Sequence, residues 1–150
     1  MGIALNNADR TGQTDSTAAV RLSLQREPDV IVACQKGRSL AGELGFDSGA
    51  QVAISLAISE VTRNILNHAG SGVVTLRITR HASGGQAGLE VVATNHVSAV
   101  TDVKMALLDS YTTGDRPGLG LPAATRLMDE VEVQSCIGDG TTVTMRKWVR

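Results

Sequence analysis

Aromatic residues are almost missing from this sequence: one Trp, one Tyr and one Phe among 150 residues. So few rings leave no stacking platform for single-stranded nucleic acid. Charge of one sign is missing too, with 14 Lys and Arg against 15 Asp and Glu and a formal net charge of −1. The basic field that a nucleic-acid binder presents is therefore absent. Cysteine is scarce: Cys34 and Cys136 stand far apart, outside any Cys-x-x-Cys pattern and away from a His cluster. That argues against both a zinc site and a disulfide framework, and favours reduced thiols in the core. No apolar run approaches the ~20 residues of a membrane span. The start, Met1 to Thr17, is polar and mixed in charge with no apolar signal core, so a cytoplasmic protein with neither nucleic-acid nor membrane partners is expected.

What is present is an ordinary globular composition, 42% hydrophobic and 19% charged, of a length that fits one domain. Residues 1–17 lack periodicity and are expected to form a flexible arm before a single domain over 18–150. Ala19–Leu24 alternates at period two, as an amphipathic strand does. Glu27-Pro28-Asp29 reads as a turn, with Asp29 capping a helix from Val30 to Leu44 that stops at Gly45. The clearest helix runs from about Asp47 to Ala69, where Ile54, Ile58, Val61 and Ile65 form one buried stripe. Val73–Thr79 and Leu89–Thr94 flank a turn-rich loop and predict a hairpin. A short helix over Asp102–Leu108, a Gly-rich stretch, and a helix over Leu121–Glu130 with Pro122 in its first turn follow. Val131–Cys136 and Thr142–Trp148 form a second predicted hairpin around Gly138-Asp139-Gly140. Strands thus cluster in pairs between helices, and an α+β two-layer sandwich fits best, with helices on one face of a mixed sheet.

Three stretches could carry chemistry. Glu60, Asn64 and His68 recur at intervals of four, so one helix places them in a column bordering the buried stripe. A carboxylate at the edge of a core can deprotonate a hydroxyl. An amide oxygen one turn away is a hard donor suited to Mg²⁺, which keeps several waters. Spacing alone nevertheless favours a plain solvated polar face, because such pairs are commonplace. Gly118-Leu119-Gly120 leads into a helix, where free backbone N–H groups could meet phosphate. It is neither a Walker loop nor a dinucleotide fingerprint, and a simple loop accounts for it equally well. Gly138-Asp139-Gly140-Thr141-Thr142 by itself reads as a hairpin turn.

Taken together, the three stretches are more specific than any one alone. Ser59-Glu60-x-x-x-Asn64-x-x-x-His68-Ala69, then Gly-Leu-Gly-Leu-Pro followed by Arg126-Leu127-Met128-Asp129-Glu130, then Gly-x-Gly-Thr-Thr before a terminal strand, resembles the GHKL ATPase superfamily. Within it the chain is most similar to the anti-sigma regulatory serine/threonine kinases of the RsbT and RsbW type. Asp109–Gly114 and Leu121–Glu130 look especially like the RsbT switch kinases, and the resemblance spans roughly Val20 to Arg150. It implies a Bergerat-type ATPase sandwich and a kinase that uses Mg-ATP to phosphorylate a Ser or Thr of a STAS-domain partner. It also implies a role in a partner-switching module of stress signalling, with a sigma factor or a PP2C-type phosphatase as further candidate partners and a homodimer as a candidate assembly. By the resemblance Glu60 is the catalytic base and Asn64 holds Mg²⁺, with His68 beside it at the nucleotide. Gly118, Leu119 and Gly120 cradle phosphates with Arg116 nearby, and Thr141 lies near the adenine.

One box departs from the family pattern. Where the family carries Asp-x-Gly-x-Gly at the adenine, this chain has Asn95, Val97 and Ala99 at the three defining positions. Asn95 loses the charge of the Asp but retains a carbonyl acceptor. Val97 fills space where glycine lets backbone approach a ring. The departure motivates an alternative: a nucleotide-free pseudokinase that docks STAS or phosphatase partners.

Overall fold

The computed structural model describes residues 19–95, 121–136 and 140–150. In chain order these residues form β1 (Val20–Leu24), α1 (Glu27–Leu44), α2 (Ser48–Ala69), β2 (Gly72–Arg80), β3 (Ala87–Asn95), α3 (Leu121–Leu127), β4 (Glu130–Cys136) and β5 (Gly140–Trp148). The expected helix over 102–108 lies outside the described residues.

The helix α1 begins three residues earlier than its apolar pattern suggests. Pro28 fits the first helical turn, where a missing N–H costs nothing. Asp29 sits inside the helix, not at its cap, and reaches back to accept the backbone N–H groups of Gln25 at 2.8 Å and Arg26 at 2.9 Å. Those bonds hold its carboxyl below the usual carboxylate range. Gly45, at φ 99°, ends α1 in the left-handed region that glycine enters without strain. Asp47 then caps α2 by accepting the N–H of Ala50 at 2.8 Å.

The stripe Ile54, Ile58, Val61 and Ile65 is buried as its spacing predicts, and packs on Val74, Leu76, Leu89, Val91, Ala93 and Met145 of the sheet. Burying each such side chain contributes about 1.5–3 kcal/mol. On its other flank α2 meets α1 at Gly37, where any Cβ would run into Ile58 Cδ1; the missing side chain lets the two helices approach. Cys34, half-buried, donates its thiol proton to the Ser55 carbonyl, and burial pushes that thiol up. It packs against the core, as its spacing suggested.

The sheet runs β1-β2-β3-β5-β4, and every neighbouring pair is antiparallel. The α+β class and the two layers hold, and among the described residues the sheet is antiparallel throughout rather than mixed. The connection from β3 skips one place to β4, and the β4–β5 hairpin folds back into the gap. The inserted β5 then runs against both of its neighbours. The last predicted helix also ends early, at Leu127 rather than Glu130, because cross-strand partners capture its final residues. Asp129 accepts the N–H of Trp148 at 2.8 Å, and Glu130 starts β4 opposite Arg146.

Alternation divides the sheet. Leu89, Val91, Ala93 and Asn95 of β3 face the helices, whereas Glu90 points to the opposite face. There it is buried between Arg77 of β2 and Arg146 of β5, and accepts Nε of Arg146 at 2.9 Å. Arg146 extends the network to Glu130 at 3.1 Å and Glu132 at 3.5 Å on β4.

Candidate functional site

On the helix side, the second half of α2 and the ends of β3 and β5 enclose a cleft. Val61, Ile65, Ala93 and Val143 give it apolar walls, and Asn64, His68, Asn95 and Thr141 supply polar groups. Apolar walls with a few convergent polar groups are the lining chemistry of a small-molecule site. Each polar group arrives by a distinct local cause. The four-residue step along α2 stacks His68 one turn beyond Asn64. Asn95 is the last residue of β3, its side chain on the helix side and only 4% exposed. Thr141, 3% exposed, is the second residue of β5.

The two strand ends are tied together. The Thr141 backbone N–H donates to Asn95 Oδ1 at 3.2 Å. Gly140 makes this approach possible, with φ at 85° and its Cα against the end of β3. A Cβ there would collide with the Asn95 carbonyl oxygen and come within 2.8 Å of Oδ1. The glycine that reads in the sequence as a turn residue is therefore a close-approach residue at the site. Its signal was present only as a Gly-x-Gly, which turns share.

Glu60 stands one turn before Asn64 on the same helix, half-buried, and does not line the cleft. Among the described residues its carboxylate accepts no hydrogen bond. Burial pushes its pKa up, partly offset by the nearby Arg63 guanidinium. Arg63 itself is turned towards Glu27 of α1, at 2.9 Å, and towards Ser59. A free carboxylate with a raised pKa, at the rim of a cleft, suits a general base. Asn64, half-buried on the cleft wall, presents an amide group whose oxygen is a hard donor of the kind magnesium accepts. Among the described residues no group of three or more His, Cys, Asp or Glu side chains converges on a metal position.

The structure thus brings together Asn64, His68, Asn95 and Thr141, from segments up to 77 positions apart (141 − 64), and leaves Glu60 beside them. Val97, Ala99, Arg116, Gly118, Leu119 and Gly120 lie outside the described residues. The helix α3, which the last three of these precede, packs against α2. No helix of the described residues is long and apolar enough to cross a membrane.

Comparison with known proteins places this geometry in context. Residues 28–147 match the histidine kinase-like ATPase domain. The chain is 38% identical over 127 residues to the serine/threonine-protein kinase RsbT of Bacillus subtilis, covering 85% of this chain and 94% of that protein. It is 30% identical over 102 residues to the anti-sigma F factor of a Thermoanaerobacter species, covering 64% of this chain and 68% of that one. Among solved structures, the SiaB–SiaC complex of Pseudomonas aeruginosa shares the fold, with a TM-score of 0.59 at 12% identity over 99% of both chains. A Mycobacterium tuberculosis structure containing RsbU and RsbW domains does so with a TM-score of 0.57 at 20% identity, over 89% of this chain and 33% of that one.

Proposed function

The chain belongs to the histidine kinase-like ATPase domain family, and from that premise we propose that it is a partner-switching serine/threonine-protein kinase. Its phosphoryl donor is a magnesium-bound purine nucleoside triphosphate, and its substrate is a Ser or Thr of a STAS-domain antagonist. The observation that carries this reading is the 38% identity to the kinase RsbT over 94% of its length. The cleft supports it by gathering Asn64, His68, Asn95 and Thr141 at one end of the sandwich.

When bound, the nucleotide supplies an activated phosphoryl group. The protein's part is positioning and charge. The Glu60 carboxylate accepts the proton that the attacking hydroxyl gives up, and its raised pKa makes it a stronger base than an ordinary Glu. The Asn64 amide oxygen would hold Mg²⁺. Gly118, Leu119 and Gly120 are proposed to face phosphates, with Arg116 near them and Val97 and Ala99 near the base. The kinase would act in the cytoplasm on its STAS partner, with a sigma factor or a PP2C-type phosphatase downstream. Likeness to a protein named as an anti-sigma F factor supports the sigma-factor part of that setting. A homodimer is the proposed assembly.

Calorimetry with Mg-nucleotide and transfer of labelled phosphate to STAS-domain proteins of the same organism test the reading together. Glu60→Gln is expected to bind nucleotide within about twofold of wild type while transfer falls about 100-fold or more. Asn64→Ala is expected to lose the magnesium dependence of binding. Unchanged transfer in Glu60→Gln would remove Glu60 from its role. Failure of the wild type to bind any nucleotide would turn the reading to a docking module.

A further inference from the structure

We infer that the Asn95–Thr141 end of the cleft selects a 6-oxopurine, guanine or hypoxanthine, over adenine. The inference rests on the nucleotide-binding reading above and concerns only the base. An Asn side chain offers one carbonyl oxygen and one NH₂ group, and these are not interchangeable. The Thr141 backbone N–H is a donor, so the atom facing it at 3.2 Å must be the carbonyl oxygen. Gly140 closes the same side, since a Cβ there would lie 2.8 Å from Oδ1. The acceptor is thereby turned into β5 and covered.

The remaining group is the amide Nδ2, a donor. Among the described residues no hydrogen bond reaches it. Among the described residues no fully buried side-chain nitrogen or oxygen lacks a partner, so Nδ2 retains exposure at the cleft that Asn95 lines. A residue 96% buried thus holds one unspent donor at the cleft wall. Adenine presents an exocyclic amine at its 6-position, which is also a donor. Two donors face to face leave a buried polar group unpaired, the costly case for a hydrogen-bonding site. Guanine and hypoxanthine present a 6-oxo acceptor at the same place, which Nδ2 can satisfy. An aspartate at this position would behave oppositely. One carboxylate oxygen would take the Thr141 N–H, and the other would remain as an acceptor for the adenine amine.

The test is calorimetric titration of the full chain with ADP, GDP and IDP in the presence of Mg²⁺, repeated with Asn95→Asp. IDP isolates the 6-oxo group, because it lacks the 2-amine of guanine. The wild type is expected to bind IDP and GDP at least about tenfold more tightly than ADP, the worth of one mismatched buried donor. In Asn95→Asp the order is expected to reverse. A wild type that binds ADP as tightly as IDP overturns the base selectivity and leaves the nucleotide-binding reading standing. A wild type that binds none of the three overturns both. Should Asn95→Asp fail to fold, as its thermal transition would reveal, the wild-type ratio of IDP to ADP decides alone.

Discussion

One strand, β3, carries two polar clusters on its two faces, and they are solved in opposite ways. Glu90, on the face away from the helices, is matched on every side: Arg77 on one neighbouring strand, Arg146 on the other, and Arg146 in turn by Glu130 and Glu132. Asn95, on the helix face, is at least as buried, yet among the described residues its side chain engages only its oxygen. Asn64 and His68 stand beside it across the cleft. A sheet that can pair a buried carboxylate so completely has no general shortage of partners. On the other face, among the described residues, the Asn95 amide nitrogen keeps the hydrogen-bonding capacity that the proposed base contact would use.

Three substitutions would break or sharpen that contrast. The largest effect is expected from Gly140→Ala, which brings a Cβ against the Asn95 carbonyl at a left-handed φ. Overpacking and backbone strain together should cost about 3 kcal/mol, read from the urea midpoint. A loss well under 1 kcal/mol would show that the β3 and β5 ends are not held as tightly as the geometry requires. Glu90→Ala comes next, at about 2 kcal/mol, since it strips two guanidinium partners from a buried carboxylate site. Stability measured at rising salt adds a check, because buried pairs are screened less than exposed ones.

The smallest effect concerns Glu60 and is one of sign. Its folded-state pKa lies above the ordinary value because of burial, so ionisation is harder in the folded chain than in the unfolded one. Below the ordinary value both states hold the proton and Glu60→Gln should match wild type. As pH rises through the folded-state value, wild type loses stability relative to the variant. Urea midpoints taken from about pH 4 to about pH 7 should therefore diverge in favour of Glu60→Gln. Divergence the other way would mean that Glu60 has a favourable partner in the folded chain.

Much of the scaffold is legible in the sequence for physical reasons. The α2 stripe announces itself because 22 residues allow its period to repeat over many turns. Both hairpins are legible because glycine-bearing loops separate alternating runs. The start of α1 is not, since Glu27-Pro28-Asp29 satisfies a turn and a first helical turn equally, and only the hydrogen bonds of Asp29 separate them. The end of α3 depended on Trp148 and Arg146, residues beyond any local window. The column Glu60, Asn64, His68 follows from helix geometry, but its value as a site needed strands to arrive opposite it. The link from Asn95 to Thr141 spans 46 positions, and no composition or period encodes it. Family resemblance pointed to both residues, yet their hydrogen bond decides which of the Asn95 groups is left over.

The central place of β3 has a consequence for how the cleft can fail. Its residues pair with β2 from Gly72↔Asn95 to Arg80↔Ala87, and with β5 from Gly88↔Trp148 to Thr94↔Thr142. A slip by one residue would turn Leu89, Val91 and Ala93 out of the core and carry Asn95 with them. The cleft wall that Asn95 forms therefore has no private way to come apart. The amide protons of β3 should exchange with solvent more slowly than those of the edge strands, and partial melting in β1 or β4 would leave the cleft end of the sheet in place until the whole sheet gave way.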